Sequence, residues 1–422
     1  MKSYYQASKN LMIEQGSLEG EVRAEVCVIG GGYTGLSSAL YLAKKGINVA
    51  LLEANNLASG ASGTNGGQVS GGMRRDQFYL ERTLGKSSAK ALWKIGEKAK
   101  AHVKELINEY GIECDFKYGI AHPNHKKKFC DESMAYVEYM KKSYDHTDID
   151  YVDDSQMREL TGSQTFFGGS YDKSEAHLHP LNYALGIATA ALDFGATIFE
   201  NSRVLSYKNE GDLLRVQTQK GCIVADRIVL ACNGYLENLE KKLTSKILPL
   251  NNYIIATKPL SEKQANRINP NDIAFADSRF VVNYFRLSAD KRLLFGGGEN
   301  FSKSLSGNIL PIVTRPMEVI YPFLKGVQID YAWGGKLAIT LNRLPFFKSL
   351  LGDKVLSAQG YSGQGVALAS YAGKIIADKI YGTGDMFDAI SKIPTPSFPG
   401  GRLLRGPSMK IGMAYYALLD RL

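Results

Sequence analysis

Apolar positions along the chain follow two rhythms, unbroken short runs and helical spacing, and their order predicts a mixed α/β protein. Val26 to Ile29 is an apolar run of buried-strand type, and Ile47 to Leu52 is a second. Leu36 to Lys45 lies between them as a helix that stops at Gly46. Leu92, Ile95, Ala99, Val103 and Leu106 share one face of a long amphipathic helix predicted from about Ser88 to Tyr110, with Gly111 ending it. Another helix is predicted over Glu132 to Ser143, capped by Asp131. Past Ala176 the α/β pattern returns, with a helix from Leu181 to Phe194, Gly195 as its stop, a strand from Thr197 to Val204 and two more strands up to Ala231. Ile254 to Phe295 is rich in strand-type segments, and Tyr331 to Phe347 reads as a connection marked by glycine and proline. Val355 to Ser357 is a short strand, and Val366 to Tyr381 is a helix. No internal repeat or low-complexity segment is visible.

The first strand runs into Gly30-Gly31-Gly32-Tyr33-Thr34-Gly35, and Glu53, followed by Ala54, closes the second. Strand, glycine turn, helix, strand and acid in that order make a dinucleotide fingerprint. Gly30 permits the tight turn, Gly32 lets a pyrophosphate approach the backbone, and Gly35 lets helix and strand lie close. The helix from Leu36 to Lys45 offers its unpaired N–H groups to phosphate, Tyr33 and Thr34 of the turn before it are further cofactor candidates, and Glu53 accepts from ribose hydroxyls. The element order predicts a discontinuous Rossmann-like nucleotide domain from residues 1–84, 146–245 and 331–400. Residues 85–145 and 246–330 then form an α+β substrate domain with a mixed or antiparallel sheet, and the ligand sits in the cleft between lobes.

At 422 residues, with 44% hydrophobic and 22% charged residues, the composition is that of a globular protein with a large core. No apolar run reaches the roughly 18 residues that span a bilayer, and the N-terminal stretch lacks a signal-peptide core, so a cytoplasmic location is expected. The five cysteines show no CxxC pair, and the six histidines form no HExxH-type pattern; reduced thiols and no catalytic metal are expected. The net charge of +9 concentrates at Lys126-Lys127-Lys128 in a turn-like segment, without the interleaved aromatics of a nucleic-acid surface, so no nucleic-acid partner is expected. Residues 401–422 mix basic and apolar positions as an amphipathic tail. It either touches a membrane surface or packs on its own domain, and one basic helix is a marginal anchor.

Two later features point beyond a nicotinamide cofactor to a longer one that stays bound. Arg227 to Cys232 is an apolar strand ending in Asn233-Gly234, as if beside a nucleotide, with Val204 placed alongside. Gly360-Tyr361-Ser362-Gly363-Gln364-Gly365 is a second glycine turn feeding a helix N-terminus, a plain β-to-α connection being the less favoured alternative. The glycine-rich stretch from Ala58 to Gly72 suits backbone lying against a ligand, or a mobile loop.

Together these residues resemble the D-amino-acid-oxidase-like flavoproteins, and within them the gamma-glutamylputrescine oxidases and their relatives. The resemblance rests on Ser3-Tyr4-Tyr5, Gly60-Ala61-Ser62-Gly63-Thr64-Asn65-Gly66-Gly67-Gln68, His177-Leu178-His179-Pro180-Leu181-Asn182, and Tyr284-Phe285-Arg286-Leu287-Ser288 with Leu293 to Gly298. Trp333-Gly334-Gly335 and the later glycine turn fit as well. It implies FAD, and an amine oxidised by hydride transfer to flavin N5. The imine would hydrolyse to an aldehyde plus ammonia, and oxygen would leave as hydrogen peroxide. The alternative is a dehydrogenase that passes electrons to a quinone or carrier protein. Relatives often carry Arg where Thr64 stands. Some attach flavin through a cysteine near the C-terminus, and none lies beyond Cys232 here, so non-covalent FAD is expected.

The resemblance also implies roles. Ser62 to Gly67 would pass beside the flavin ring, with Gln68 a further cofactor contact, and the turn from Ser362 to Gly365 would face its N1–C2=O side, where a helix end tunes the cofactor. Arg286 would bind a substrate carboxylate from a strand facing the flavin, unless it is a surface strand charge. Tyr253, Tyr284 and Trp333 would wall the cavity or belong to the core, and Lys336 would help oxygen react. His177 and His179, with Pro180 at the first helical position, are expected to be structural hydrogen-bonding groups rather than acid–base or metal groups.

Overall fold

The computed structural model describes residues 3–300 and 308–399. The expected tail, residues 401–422, lies outside the described residues.

Strand Gly20–Ile29 is the hub of the first sheet. It pairs in parallel with Gly221–Leu230 on one side and Val49–Leu52 on the other. Val355–Gln359 extends the sheet beyond Gly221–Leu230, Thr197–Phe199 beyond Val49–Leu52, both in parallel, and Phe346–Leu350 closes one edge antiparallel. The inner strands read as near-continuous apolar runs because helices cover the parallel sheet. Helices Tyr33–Lys44, Pro180–Asp193 and Gly365–Tyr381 contribute their apolar faces to one core with strand residues such as Val28, Leu51 and Leu356.

The second sheet has nine strands and is antiparallel except where Ala274–Ala276 runs parallel to Lys117–Pro123. Its centre is filled by Phe275, Phe285 and Phe295 from three neighbouring strands, with ring centroids 4.9 and 5.5 Å apart. Such stacked pairs add about 0.5–1.5 kcal/mol each beyond the area they bury. Together the two sheets give the expected α/β architecture with a second, mixed sheet.

Several boundaries differ from those expected. Strands Ile149–Val152, Gly169–His177 and Ile329–Ile339 hydrogen-bond into the second sheet, although the sequence pattern placed them with the nucleotide lobe. The connection expected over residues 331–347 is in large part that last strand. The strand expected to reach Val204 ends at Phe199, before Asn201 turns with φ +49°. Asp131 is not a cap; its helix starts at Cys130, so the carboxylate sits in the first turn.

Two glycine contacts set how the elements meet. A Cβ on Gly35 would lie 1.8 Å from the Gly30 carbonyl oxygen, and one on Gly373 would lie 2.6 Å from Thr34 O and Ser38 N. Helix 33–44 is therefore pressed onto its strand on one side and onto helix 365–381 on the other. Gly35→Ala is expected to lose about 1–3 kcal/mol of stability by overpacking. Gly16→Ala, with nothing within 4 Å, should leave denaturant midpoints unchanged.

Candidate functional site

The first glycine turn opens a groove of about 350 Å³, floored by Gly30 to Gly32 and walled by Glu53, Ala54, Val204 and Cys232. Gly30 adopts φ +113°, and a Cβ there would lie 2.8 Å from Ala231 O. The Glu53 carboxylate holds the turn: Oε2 accepts from Gly31 N–H at 2.7 Å and Oε1 from Asn55 N–H at 2.9 Å. Glu53 lines the groove, and a carboxylate has lone pairs left over that could accept from ribose hydroxyls there. Gly32 lets Ser62 Oγ come in to accept from Tyr33 N–H at 3.0 Å; a Cβ at Gly32 would sit 2.8 Å from that oxygen.

Ala61, Ser62 and Asn233 line both this groove and a neighbouring cavity of about 230 Å³. One wall of the cavity is Thr64, Asn65, Gly66 and Gln68; another is Ser362 to Gly365. The first wall is locked internally. Asn65 Nδ2 donates to Ala61 O and Ser62 O, both at 2.9 Å, its Oδ1 accepts from Gly67 N–H at 2.7 Å, and Thr64 Oγ1 donates to Gly60 O at 3.0 Å. The second wall is strained into place, with φ +53° at Ser362 and +98° at Gly363, and Ser362 N–H held by Ala338 O at 3.0 Å. The first N–H groups of helix 365–381 have no partner within the helix, so this end of the cavity favours negative charge. An elongated groove with a phosphate-type turn at one end and paired backbone walls at the other fits a flavin dinucleotide.

Some expected cofactor residues support the walls without lining them. Thr34 Oγ1 bonds Tyr361 OH at 2.7 Å, and Gly360 N–H donates to Asn233 Oδ1 at 3.0 Å. Gly35, Gly63 and Gly67 allow backbone approaches that a Cβ would block, for example 2.3 Å from Ala58 O at Gly63, and a Cβ on Gly234 would lie a tight 3.1 Å from Leu337 O.

Four expected substrate or catalytic residues lie elsewhere. Arg286 is 3% exposed and absent from the cavity lining. Its guanidinium donates to Gly66 O, Leu178 O and Leu287 O at 2.9, 2.8 and 3.1 Å, and to Tyr5 OH at 3.3 Å. With those donors spent on carbonyls and a phenol, it is a structural pin, not a carboxylate receptor. Tyr253 is fully buried in the core of the second sheet. Trp333 is buried, its indole N–H donating to Thr64 O at 3.0 Å. Lys336 Nζ lies 5.3 Å from the centre of the Tyr235 ring, on the nucleotide groove side. Tyr284 does line the cavity; its hydroxyl donates to Asn252 Oδ1, and Gly66 and Gly296 make room for its ring.

His179 caps helix Pro180–Asp193: its Nδ1 accepts from Asn182 N–H at 3.1 Å, so the proton sits on Nε2, 3.0 Å from Ser8 Oγ. His177 Nε2 meets Asp272 O at 2.8 Å. Burial, then the Arg286 charge, pushes both imidazoles down to about 3.

The cavity also holds charged groups that the hydrophobic pattern does not flag: Arg74, His122, Asp277, Glu299 and Arg343. Burial lowers the His122 pKa, but the Glu175 carboxylate, 3.1 Å from Nε2, more than reverses this, and the net shift is upward. Burial raises the Glu299 carboxyl, and Arg343 and Arg74 partly offset it. The signals for two of them are local: Arg74-Arg75 ends the glycine-rich stretch, and Glu299 directly follows Gly296 to Gly298.

Comparison with known proteins gives a consistent result. A family model described as FAD dependent oxidoreductase matches residues 25–379. The gamma-glutamylputrescine oxidoreductase of Escherichia coli (strain K12) is 36% identical over 427 residues, covering 100% of this chain and 98% of that protein. A probable oxidoreductase OrdL of Haemophilus influenzae is 35% identical over 425 residues, covering 100% and 97%. The crystal structure of glycine oxidase from Geobacillus kaustophilus matches with a TM-score of 0.71 at 18% identity, covering 85% of this chain and 95% of that one, a likeness of fold alone.

Two expectations test these placements. Arg286→Met should lower stability by about 3 kcal/mol or more, since it strands several buried acceptors. Its substrate KM, measured on folded protein at low temperature, should change little; a selective rise in KM would restore the carboxylate role. His177 and His179 stay neutral in the fold, while the unfolded chain takes up protons below about 6.5. Their stabilising contribution is therefore complete above that pH and is lost as pH falls towards 3. Urea midpoints between pH 7 and 4 should fall, and His177→Gln should flatten the slope.

Proposed function

The chain belongs to the family of FAD-dependent oxidoreductases, and on that premise we propose that it oxidises a carbon–nitrogen bond of a small amine of the gamma-glutamylputrescine type, with oxygen as electron acceptor. It is an FAD-dependent oxidoreductase acting on amines; the particular amine and the acceptor are the proposed part. The observation that carries the reading is the sharing of Ala61, Ser62 and Asn233 between the nucleotide groove and the charged cavity, which puts substrate-sized space at one end of the cofactor's groove. The nearly full-length similarity to a gamma-glutamylputrescine oxidoreductase supports the amine class.

Gly30 to Gly32 and the start of helix 33–44 would hold the pyrophosphate, Glu53 the ribose, and the walls 62–66 and 362–365 the ring system. Bound FAD would supply the electron sink, accepting at N5 a hydride from the amine carbon and leaving an imine that would hydrolyse to an aldehyde and ammonia. The chain's own part is positioning and electrostatics. Unpartnered N–H groups at the start of helix 365–381 stabilise charge by about 0.3–2 kcal/mol. Burial pushes the Tyr284 phenol far above its ordinary range, so it orients as a neutral donor and does not take the amine proton. Attachment of FAD is proposed to be non-covalent: the Cys232 thiol lines the nucleotide groove rather than the ring cavity, and burial pushes it up to about 12. Five unpaired cysteines support a cytoplasmic location.

Anaerobic mixing with putrescine, gamma-glutamylputrescine, glycine derivatives and D-amino acids should bleach the flavin band near about 450 nm only with the polyamine-type substrate. Bleaching by D-amino acids alone would exclude that substrate class. Oxygen consumption with peroxide release should accompany turnover in air. Bleaching without it would place the electrons on a quinone or carrier protein instead.

A further inference from the structure

We propose that Arg74 and Glu299 form a receptor for a zwitterion in the cavity wall, so that the preferred amine carries an amino-acid head whose carboxylate meets Arg74 and whose ammonium meets Glu299. The inference rests on the amine-oxidising reading above and names the substrate class of that same cavity.

The argument starts from how the cavity's charges are spent. Asp277 is bonded to Arg279 and to both the backbone and the side chain of Asn283. His122 is bonded to Glu175. Arg343 lies against the Phe280 ring, 5.6 Å from its centre. Arg74 and Glu299 make no hydrogen bond or ion pair with any described residue. They feel each other's charge, and Glu299 feels that of Arg343 more strongly, yet Arg74 and Glu299 do not approach within ion-pair distance, 4.0 Å. Arg74 is exposed and lines the cavity, and desolvation by the surrounding protein pulls its guanidinium pKa down. Glu299 is half-buried beside it.

A charge at a cavity wall with no ion-pair partner is left uncompensated by the protein. Two of opposite sign facing one cavity, held too far apart to neutralise each other, are complementary to a ligand with the reverse arrangement. A planar guanidinium with five donors takes a carboxylate at two points, and a carboxylate takes an ammonium. A plain diamine offers nothing to Arg74, and a plain carboxylic acid offers nothing to Glu299. Only a head bearing both groups satisfies both. Nearby, a Cβ on Gly363 would lie 4.0 Å from Arg74 Nε, which puts the carboxylate end beside the turn that walls the cavity.

Three substrates separate the terms: gamma-glutamylputrescine carries both head groups, glutarylputrescine only the carboxylate, and N-acetylputrescine neither. Steady-state kinetics of the holoenzyme should show kcat/KM highest for the first and about 100-fold lower for the last. Arg74→Gln should collapse that ratio towards unity, Arg74→Lys should keep part of it, and Glu299→Gln should erase the preference for gamma-glutamyl over glutaryl. Flavin content and circular dichroism report whether each variant is folded. Titration with L-glutamine, a head without the reacting amine, gives a readout free of turnover: wild type should bind it, and Arg74→Gln and Glu299→Gln should bind at least about tenfold more weakly. Ratios and L-glutamine binding that survive in both folded variants would overturn the receptor while leaving amine oxidation standing. Arg74→Gln slowing all three amines alike would also overturn it, by moving that charge's role to the cofactor. Failure of every amine to bleach the flavin, with L-glutamine binding intact, would instead count against the proposed reaction.

Discussion

The close crossing of helix 33–44 and helix 365–381 is the constraint on which the rest of the site depends. Gly373 lets the second helix lie against Thr34 and Ser38 of the first, and the Thr34–Tyr361 hydrogen bond ties the first turn of helix 33–44 to the turn that precedes helix 365–381. Residues far apart in sequence thereby become opposite ends of one groove. Gly35 completes the arrangement by pressing the first helix onto its strand. Because packed interiors tolerate little added volume, these contacts hold the two helix starts in place relative to each other. Both helix N-termini then turn their positive dipole ends toward the same elongated groove, where one would face the phosphates and the other the ring.

A second tie holds the ring wall in place. Arg286 reaches from the strand Tyr284–Leu287 to Gly66 O and Leu178 O, and its contact with Tyr5 brings in the N-terminal segment. The charge is buried, but the carbonyl dipoles around it replace water, and its removal leaves several acceptors unsatisfied. The same charge helps keep His177 and His179 neutral, so their hydrogen bonds persist across ordinary pH. One arginine thus links the glycine-rich wall, the helix cap at His179 and the second sheet.

Much of this was readable from the chain, and the misreadings have physical causes. The fingerprint around Gly30 and the helix over residues 86–110 were legible because each combines a period with a stop signal. Strand Ile329–Ile339 was hidden because Gly334-Gly335 looks like a turn. There the glycine is required by close approach: a Cβ on Gly335 would lie 2.3 Å from Thr64 Oγ1, where the ring wall leans on the strand. An arginine between Phe285 and Leu287 looks the same in sequence whether it faces a substrate carboxylate or backbone carbonyls, and only the fold decides. Arg74 and Glu299 lie next to glycine runs, where no periodic pattern marks which way a side chain turns. The remote pairings that spend Asp277 and His122 are likewise invisible along the chain.

The central claim is that the turns at residues 30–35 and 360–366 grip opposite ends of one FAD. A crystal structure of the enzyme purified with its cofactor tests this most directly. The account predicts pyrophosphate density over Gly30 to Gly32 and the isoalloxazine between Asn65–Gly66 and Gly363–Gly365. Density placing the ring outside the cavity that Ser62 and Asn233 share with the groove, or a nucleotide that ends short of the second turn, would contradict it.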